Sequence, residues 1–172
     1  MSGNDRGYSL IELMIVIAIL GLLLAILQDS YSRWSRRYRV ESEAKSLHSY
    51  ILDARARAIT RYRAHFVITS GAGYSVVEDT TPWPDGNGAY DTGAGGDNLV
   101  HTGLVAAPFT IETAVSGVDA ANPLTFGRDG TASGTGYIRI VPGIGSVDYD
   151  CVDVAPTRIR VGRFDGTVCQ PR

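Results

Sequence analysis

The chain has 172 residues, 16 basic against 18 acidic side chains, a formal net charge of −2 and a mean hydropathy of zero, the figures of one ordinary domain. They exclude a disordered acidic or basic tail; two cysteines are too few for a disulfide-dense scaffold, and no internal period announces a repeat array. Counted by segment, residues 1–28 carry one basic and two acidic groups (net −1), residues 29–63 nine and four (net +5), and residues 64–172 six and twelve (net −6), so three different materials are joined.

The first element is an uninterrupted apolar run over residues 13–27, which reaches 18 residues when Leu10 and Ile11 are counted across Glu12. That is about the minimum that spans a bilayer. A secretory signal peptide needs small residues in an A-x-A-like pattern behind such a run, and Ala25-Ile26-Leu27-Gln28-Asp29 offers none. A plain single-span anchor explains the length but not Glu12, an ionisable group inside the apolar stretch where a carboxylate is costly.

Arg6-Gly7-Tyr8-Ser9-Leu10-Ile11-Glu12-Leu13-Met14-Ile15-Val16 resembles the class III leader junction of type IV pilins and type II secretion pseudopilins. The resemblance implies that residues 1–7 are a leader, cut after Gly7 by a membrane-embedded aspartyl prepilin peptidase that also methylates the new N-terminus, Tyr8. Tyr8 stands where the family usually has Phe, and keeps the aromatic ring. Glu12 becomes the fifth mature residue. The implied location is the inner membrane, single-pass, with a cytoplasmic N-terminus and a periplasmic C-terminal domain, and then a pilus or pseudopilus. The implied partners are the prepilin peptidase, other major and minor pilins or pseudopilins, and an inner-membrane assembly platform. Cleavage after Gly7 would create a cationic amine near a carboxylate in a low-dielectric medium, where unpaired charges are costly. Pairing the amine of an incoming subunit with Glu12 of its neighbour would offset that cost and set the axial register. The alternative is an acid placed at a helix N-terminus by the macrodipole.

From Gln28 to Tyr62 there is no Gly or Pro, and apolar or small residues recur at Val40, Ala44, Leu47, Ile51, Ala54, Ala58 and Tyr62. This predicts an amphipathic helix; continuous from Tyr8, it would be roughly 80 Å long. Residues 8–28 would be its transmembrane or filament-core half. Residues 29–63 would be its amphipathic periplasmic half, laying its stripe on a sheet with Ala54 and Ala58 permitting close approach. Glu41 to Lys45 and Asp53 to Arg57 are i,i+4 pairs in the favourable orientation. Major pilins commonly have proline at the twenty-second mature position, here Asp29, so its absence resembles a minor pilin or pseudopilin. Tyr31, Trp34 and Tyr38 lie on one helical face among Arg33, Arg36, Arg37 and Arg39, as rings at a membrane–water interface do. The positive-inside rule would put these arginines in the cytoplasm, whereas the resemblance puts them outside.

Residues 64–172 read as a β-rich domain. His65–Thr69 and Tyr74–Val77 flank Ser70-Gly71-Ala72-Gly73 as a hairpin, and further strands are expected at 99–105, 109–115, 124–126, 137–141, 147–152 and 158–161. The fold class is α+β: a long N-terminal helix packed on an antiparallel β-sheet domain. The segment Leu47–Thr60 leading into His65, then Phe126-Gly127-Arg128-Asp129-Gly130, residues 137–141 and residues 159–166 resemble the H-type pseudopilin and FimT/FimU minor-pilin group.

The loop 79–98 holds Pro82, Trp83, Pro84, Asp79, Asp85, Asn87, Asp91, Asp97 and Asn98; it lacks EF-hand spacing and reads as an exposed, turn-rich loop rather than a calcium site. In the oxidising periplasm that the resemblance implies, Cys151 and Cys169 are expected to form a disulfide. A metal site would need further ligands, and His48, His65 and His101 are scattered singly. No nucleophile, metal or phosphate-binding motif occurs, so neither an enzyme nor a cofactor is expected. The expected function is a non-catalytic minor pilin that helps prime a type IV pilus at its tip; the alternative is the H-type pseudopilin of a type II secretion system. A third reading is a FimT-like DNA-uptake subunit. That group uses arginines in a C-terminal G-R-x-R pattern, where this chain has Gly166-Thr167-Val168-Cys169. Only Arg158, Arg160, Arg163 and Arg172 keep the nucleic-acid reading alive on a net-acidic domain, and nucleic acid is not the expected partner.

Overall fold

The computed structural model describes residues 9–93, 95–119, 121–141 and 147–172, with the backbone but not the side chains of 26–29. The expected leader, Gly7 and Tyr8 lie outside the described residues. Helix α1 runs Leu10–Arg61 without a proline. At its start the Ser9 carbonyl accepts the N–H groups of Glu12 (3.1 Å) and Leu13 (3.2 Å). The strands follow as β1 His65–Ser70, β2 Gly73–Glu78, β3 Asn98–Leu104, β4 Thr110–Val115, β5 Leu124–Phe126, β6 Gly136–Val141, β7 Cys151–Ala155, β8 Arg158–Phe164 and β9 Cys169–Pro171. The chain divides into two units, Met1–Arg36 and Arg37–Arg172.

In the first unit the apolar side chains of the helix face outward: Leu10 is 75% exposed, and even Leu23 is 48% exposed. Among the described residues no core packs against this stretch. Among the described residues α1 is the one helix long and apolar enough to cross a membrane.

In the second unit the predicted stripe is the core face of α1. Val40, Ala44, Leu47, Ile51, Ala54 and Ala58 are each no more than 1% exposed. Each buried Leu or Ile contributes about 1.5–3 kcal/mol through removal from water. Tyr62 is not part of the stripe. It is left-handed (φ 54°), the Arg63 N–H closes back to the Ala58 carbonyl at 3.3 Å, and the Tyr62 ring is exposed beneath the Arg128 guanidinium. A left-handed residue at this place ends a helix and turns its side chain off the helical face. The pair Asp53–Arg57 forms at 2.6 Å. Glu41 is engaged elsewhere, accepting the Asp148 N–H at 3.0 Å, and Lys45 lies over the Tyr149 ring.

The strands make two antiparallel sheets, one of order β3-β2-β1-β5 and one of order β4-β6-β7-β8-β9. The hairpin β1–β2 has the expected turn, with Ser70 opposite Gly73 and His65 opposite Glu78. One hydrophobic core unites the helical stripe with Val67 and Val76 of the first sheet and Ile138, Ile140, Val152 and Val154 of the second. Period-two alternation turns Phe66 and Val77 to the opposite face, where they form a second cluster with Ala64, Ile68 and Tyr90. The Phe126–Gly130 turn rests on the helix: Gly130 has φ +76°, and a side chain there would run into Ile59.

Two strand expectations need correction. β7 begins at Cys151 rather than 147: Val147 is buried in the core, the Asp148 N–H turns away to Glu41, and only from Asp150, whose backbone bonds Ile140 and Gly162 while its carboxylate accepts the Phe164 N–H, does the chain join the sheet. β8 runs on to Phe164, and β9, absent from the expected strands, pairs with it through Gly162–Pro171, Arg163–Gln170 and Phe164–Cys169.

Candidate functional site

Glu12 lies in the first turn of α1, exposed, where the free N–H groups of a helix start favour an acid. Both roles expected for it remain compatible with this position. Tyr31 and Trp34 stand on the same helix with ring centres 6.2 Å apart, both exposed. Tyr38, in the second unit, is exposed as well.

Cys151 and Cys169 are joined by a disulfide with Cα atoms 6.0 Å apart, linking β7 to β9 across β8. The connecting β8–β9 turn is built by Asp165. Its carboxylate accepts the N–H groups of Val168 and Thr167 and the Gln170 side-chain amide, each at 2.9 Å, and these donors hold its pKa down at about 2. The folded value lies below the ordinary aspartate value of 3.8. This contribution to stability is therefore complete above about pH 4 and is lost as the pH falls toward 2. Asp165→Asn should accordingly flatten part of the acid-induced fall in melting temperature between about pH 5 and pH 2. An unchanged acid slope in the variant would contradict this role.

The four arginines proposed for nucleic-acid contact are not left as a bare cationic patch. Arg160 pairs with Asp153 (3.2 Å) and Arg172 with Asp148 (2.9 Å). Strand alternation puts Arg158 and Arg160 on one face of β8 and Arg163 on the other.

The loop 79–98 is largely exposed, as its composition predicts, but it is tied down at two points. Tyr90 covers Phe66, with ring centres 5.6 Å apart, and Asp79 is buried. Asp79 accepts the N–H groups of Asn87 (3.1 Å) and Gly88 (2.7 Å), while burial raises its pKa. Asp97 accepts the N–H groups of Thr80, Thr81 and Asp91. These carboxylates pin backbone, and among the described residues no three His, Cys, Asp or Glu side chains converge as a metal site. Gly86, at φ +72°, passes so close to Asp79 that an added Cβ would fall on the carboxylate. Gly86→Ala should therefore cost about 2–3 kcal/mol, combining left-handed strain with displaced hydrogen bonds. Chemical denaturation measures it, and a loss below about 0.5 kcal/mol would show the loop relaxing freely. Trp83 remains 77% exposed at the tip of this loop, with the Arg63 guanidinium 5.2 Å from its ring centre.

Sequence reasoning missed the buried polar cluster where α1 meets β2. Glu78 is 2% exposed and binds Arg61 (2.8 Å) and Arg63 (3.3 Å). His65, its register partner, is fully buried; its Nδ1–H donates to the Arg63 carbonyl at 3.2 Å, and burial lowers its pKa, keeping it neutral. Charge at 61, 63 and 78 was visible, but only strand register brings it together. A cavity of about 280 Å³ between β1 and β4 is lined mainly by apolar side chains such as Val67, Ile68, Ile111 and Val118. Its one carboxylate, Asp119, is occupied by the N–H groups of Ala121 and Asn122.

A family model described as the prokaryotic N-terminal methylation motif matches residues 2–27. A second, described as the type II transport protein GspH, matches residues 43–158, two thirds of the chain. The chain belongs to the GspH family. Its fold is similar to two solved structures of the minor pseudopilin EpsH from the type 2 secretion system of Vibrio cholerae. One aligns at TM-score 0.53 and 12% identity, covering 72% of this chain and 95% of that one. The other aligns at 0.51 and 13%, covering 75% and 99%. No curated protein matches in sequence. The long helix with antiparallel sheets is thus the pilin-like fold of a GspH family member, carrying a prepilin-type N-terminus.

Proposed function

We propose that this GspH family chain is a minor pseudopilin of a type II secretion system, a non-catalytic filament subunit. The observation that carries this is the GspH match over residues 43–158, on a unit preceded by an exposed apolar helix with a methylation motif. In this reading residues 1–7 are removed after Gly7 and Tyr8 becomes the methylated terminus. Residues 8–28 anchor the chain in the inner membrane and then the filament core, with the leader cytoplasmic. Residues 29–63 and 64–172 stand in the periplasm. Glu12 meets the terminal amine of a neighbouring subunit. Priming of a type IV pilus would use the same junction and fold, but the family match favours secretion. The pairing of Arg160 and Arg172 with acids supports leaving nucleic acid out.

Disruption of the gene, with complementation, separates the two filament readings when exoprotein release and surface pili are measured in one strain. The secretion role predicts exoproteins retained in the periplasm with pili intact. Lost pili with normal secretion would reassign the chain to the pilus.

A further inference from the structure

Tyr31, Arg33, Trp34 and Arg36 close the first unit, Tyr31 and Trp34 being 69% and 63% exposed. From Ser30 to Arg39 the sequence holds four arginines and no acid. The apolar run ends at Leu27, so Tyr31 stands roughly 6 Å, Trp34 roughly 10 Å and Arg36 roughly 13 Å further along the helix axis. A headgroup layer adds about 5–8 Å on each side of the hydrocarbon. Helix tilt shortens the heights measured along the bilayer normal, and arginine stems bend back toward the interface. Lipid phosphates therefore come within reach of both guanidiniums, while the indole and phenol occupy the layer where amphipathic rings collect.

We propose that Tyr31, Arg33, Trp34 and Arg36 form a headgroup site selective for anionic phospholipids, which fixes the depth of the subunit in the bilayer. A guanidinium has five donors in a planar fork, so a contact within the chain leaves Arg33 able to bind a phosphate as well. The acidic surface of another copy, whose residues 64–172 carry net −6, also has complementary charge. It supplies no apolar-to-polar boundary for the rings, however, and the end of the apolar run does. The site rests on the anchoring reading above but not on which filament the chain joins.

The test uses the full chain with Trp83→Phe, leaving Trp34 as its one indole, in phosphatidylcholine vesicles with phosphatidylglycerol added. Quenching of Trp34 by nitroxide-labelled phosphatidylglycerol is compared with quenching by the same label on phosphatidylcholine. The expected result is about fivefold enrichment of the anionic lipid, the scale of one basic residue at an anionic surface, falling to parity in Arg33→Gln/Arg36→Gln. Equal quenching by both lipids, in a chain that floats with the vesicles, overturns the site and leaves the anchor standing. Failure to float overturns both. Trp34 emission that follows protein density rather than phosphatidylglycerol content overturns the site in favour of contact between copies.

Discussion

Replacing Glu12 by Gln or Ala is expected to leave cleavage after Gly7 intact and to remove the chain from filaments. In the proposed processing the peptidase reads the junction around Gly7, before the helix, whereas Glu12 lies within the first turn of α1. In the proposed assembly the amine of one subunit and the carboxylate of the next are withdrawn from water together. Removing one member of such a pair leaves the other charge buried and unpaired, at about 3–5 kcal/mol. That corresponds to a drop of roughly two to four orders of magnitude in incorporation. The measurement is the ratio of processed chain in sheared filaments to processed chain in the membrane fraction. Filament incorporation of Glu12→Ala at the parental level would leave only the helix-dipole role for this residue.

The second large effect is expected on breaking the Cys151–Cys169 disulfide. It closes 17 intervening residues, and a loop of that length contributes on the order of 3 kcal/mol by restricting the unfolded chain. β9 has three residues, ends on Pro171 and lies at the edge of its sheet, so β8 pairing and the Asp165 turn are its other tethers. Reduction of the full chain, or Cys151→Ala with Cys169→Ala, should lower the melting temperature by roughly 10 °C. A change under about 2 °C would mean that the sheet edge is held without the covalent link.

The sequence made some elements legible because their physics is local. The α1 stripe follows from steps of three and four residues, and the β1–β2 hairpin from a four-residue turn between alternating runs. The junction around Gly7 and Glu12 is likewise a short pattern of charge inside an apolar run. What escaped was set by partners distant in sequence. Tyr62 fits the helical period, yet the helix closes one residue earlier. β9 is too short to show alternation and exists through its pairing with β8 and the bond to Cys151. The loop 79–98 is as exposed as its turn-rich composition implies, yet composition does not show that Asp79 and Tyr90 tie it to the outer face of the first sheet. Nothing in the charge pattern revealed that Glu78 is buried between Arg61 and Arg63, because that depends on register.

The central claim, that this chain is a processed filament subunit anchored by α1, is tested most directly by mass spectrometry of its N-terminus after extraction from membranes and sheared filaments. The account predicts a mature chain that begins at N-methylated Tyr8 and travels with sibling pseudopilins. A chain that keeps residues 1–7, or one cut behind the apolar run, would contradict it.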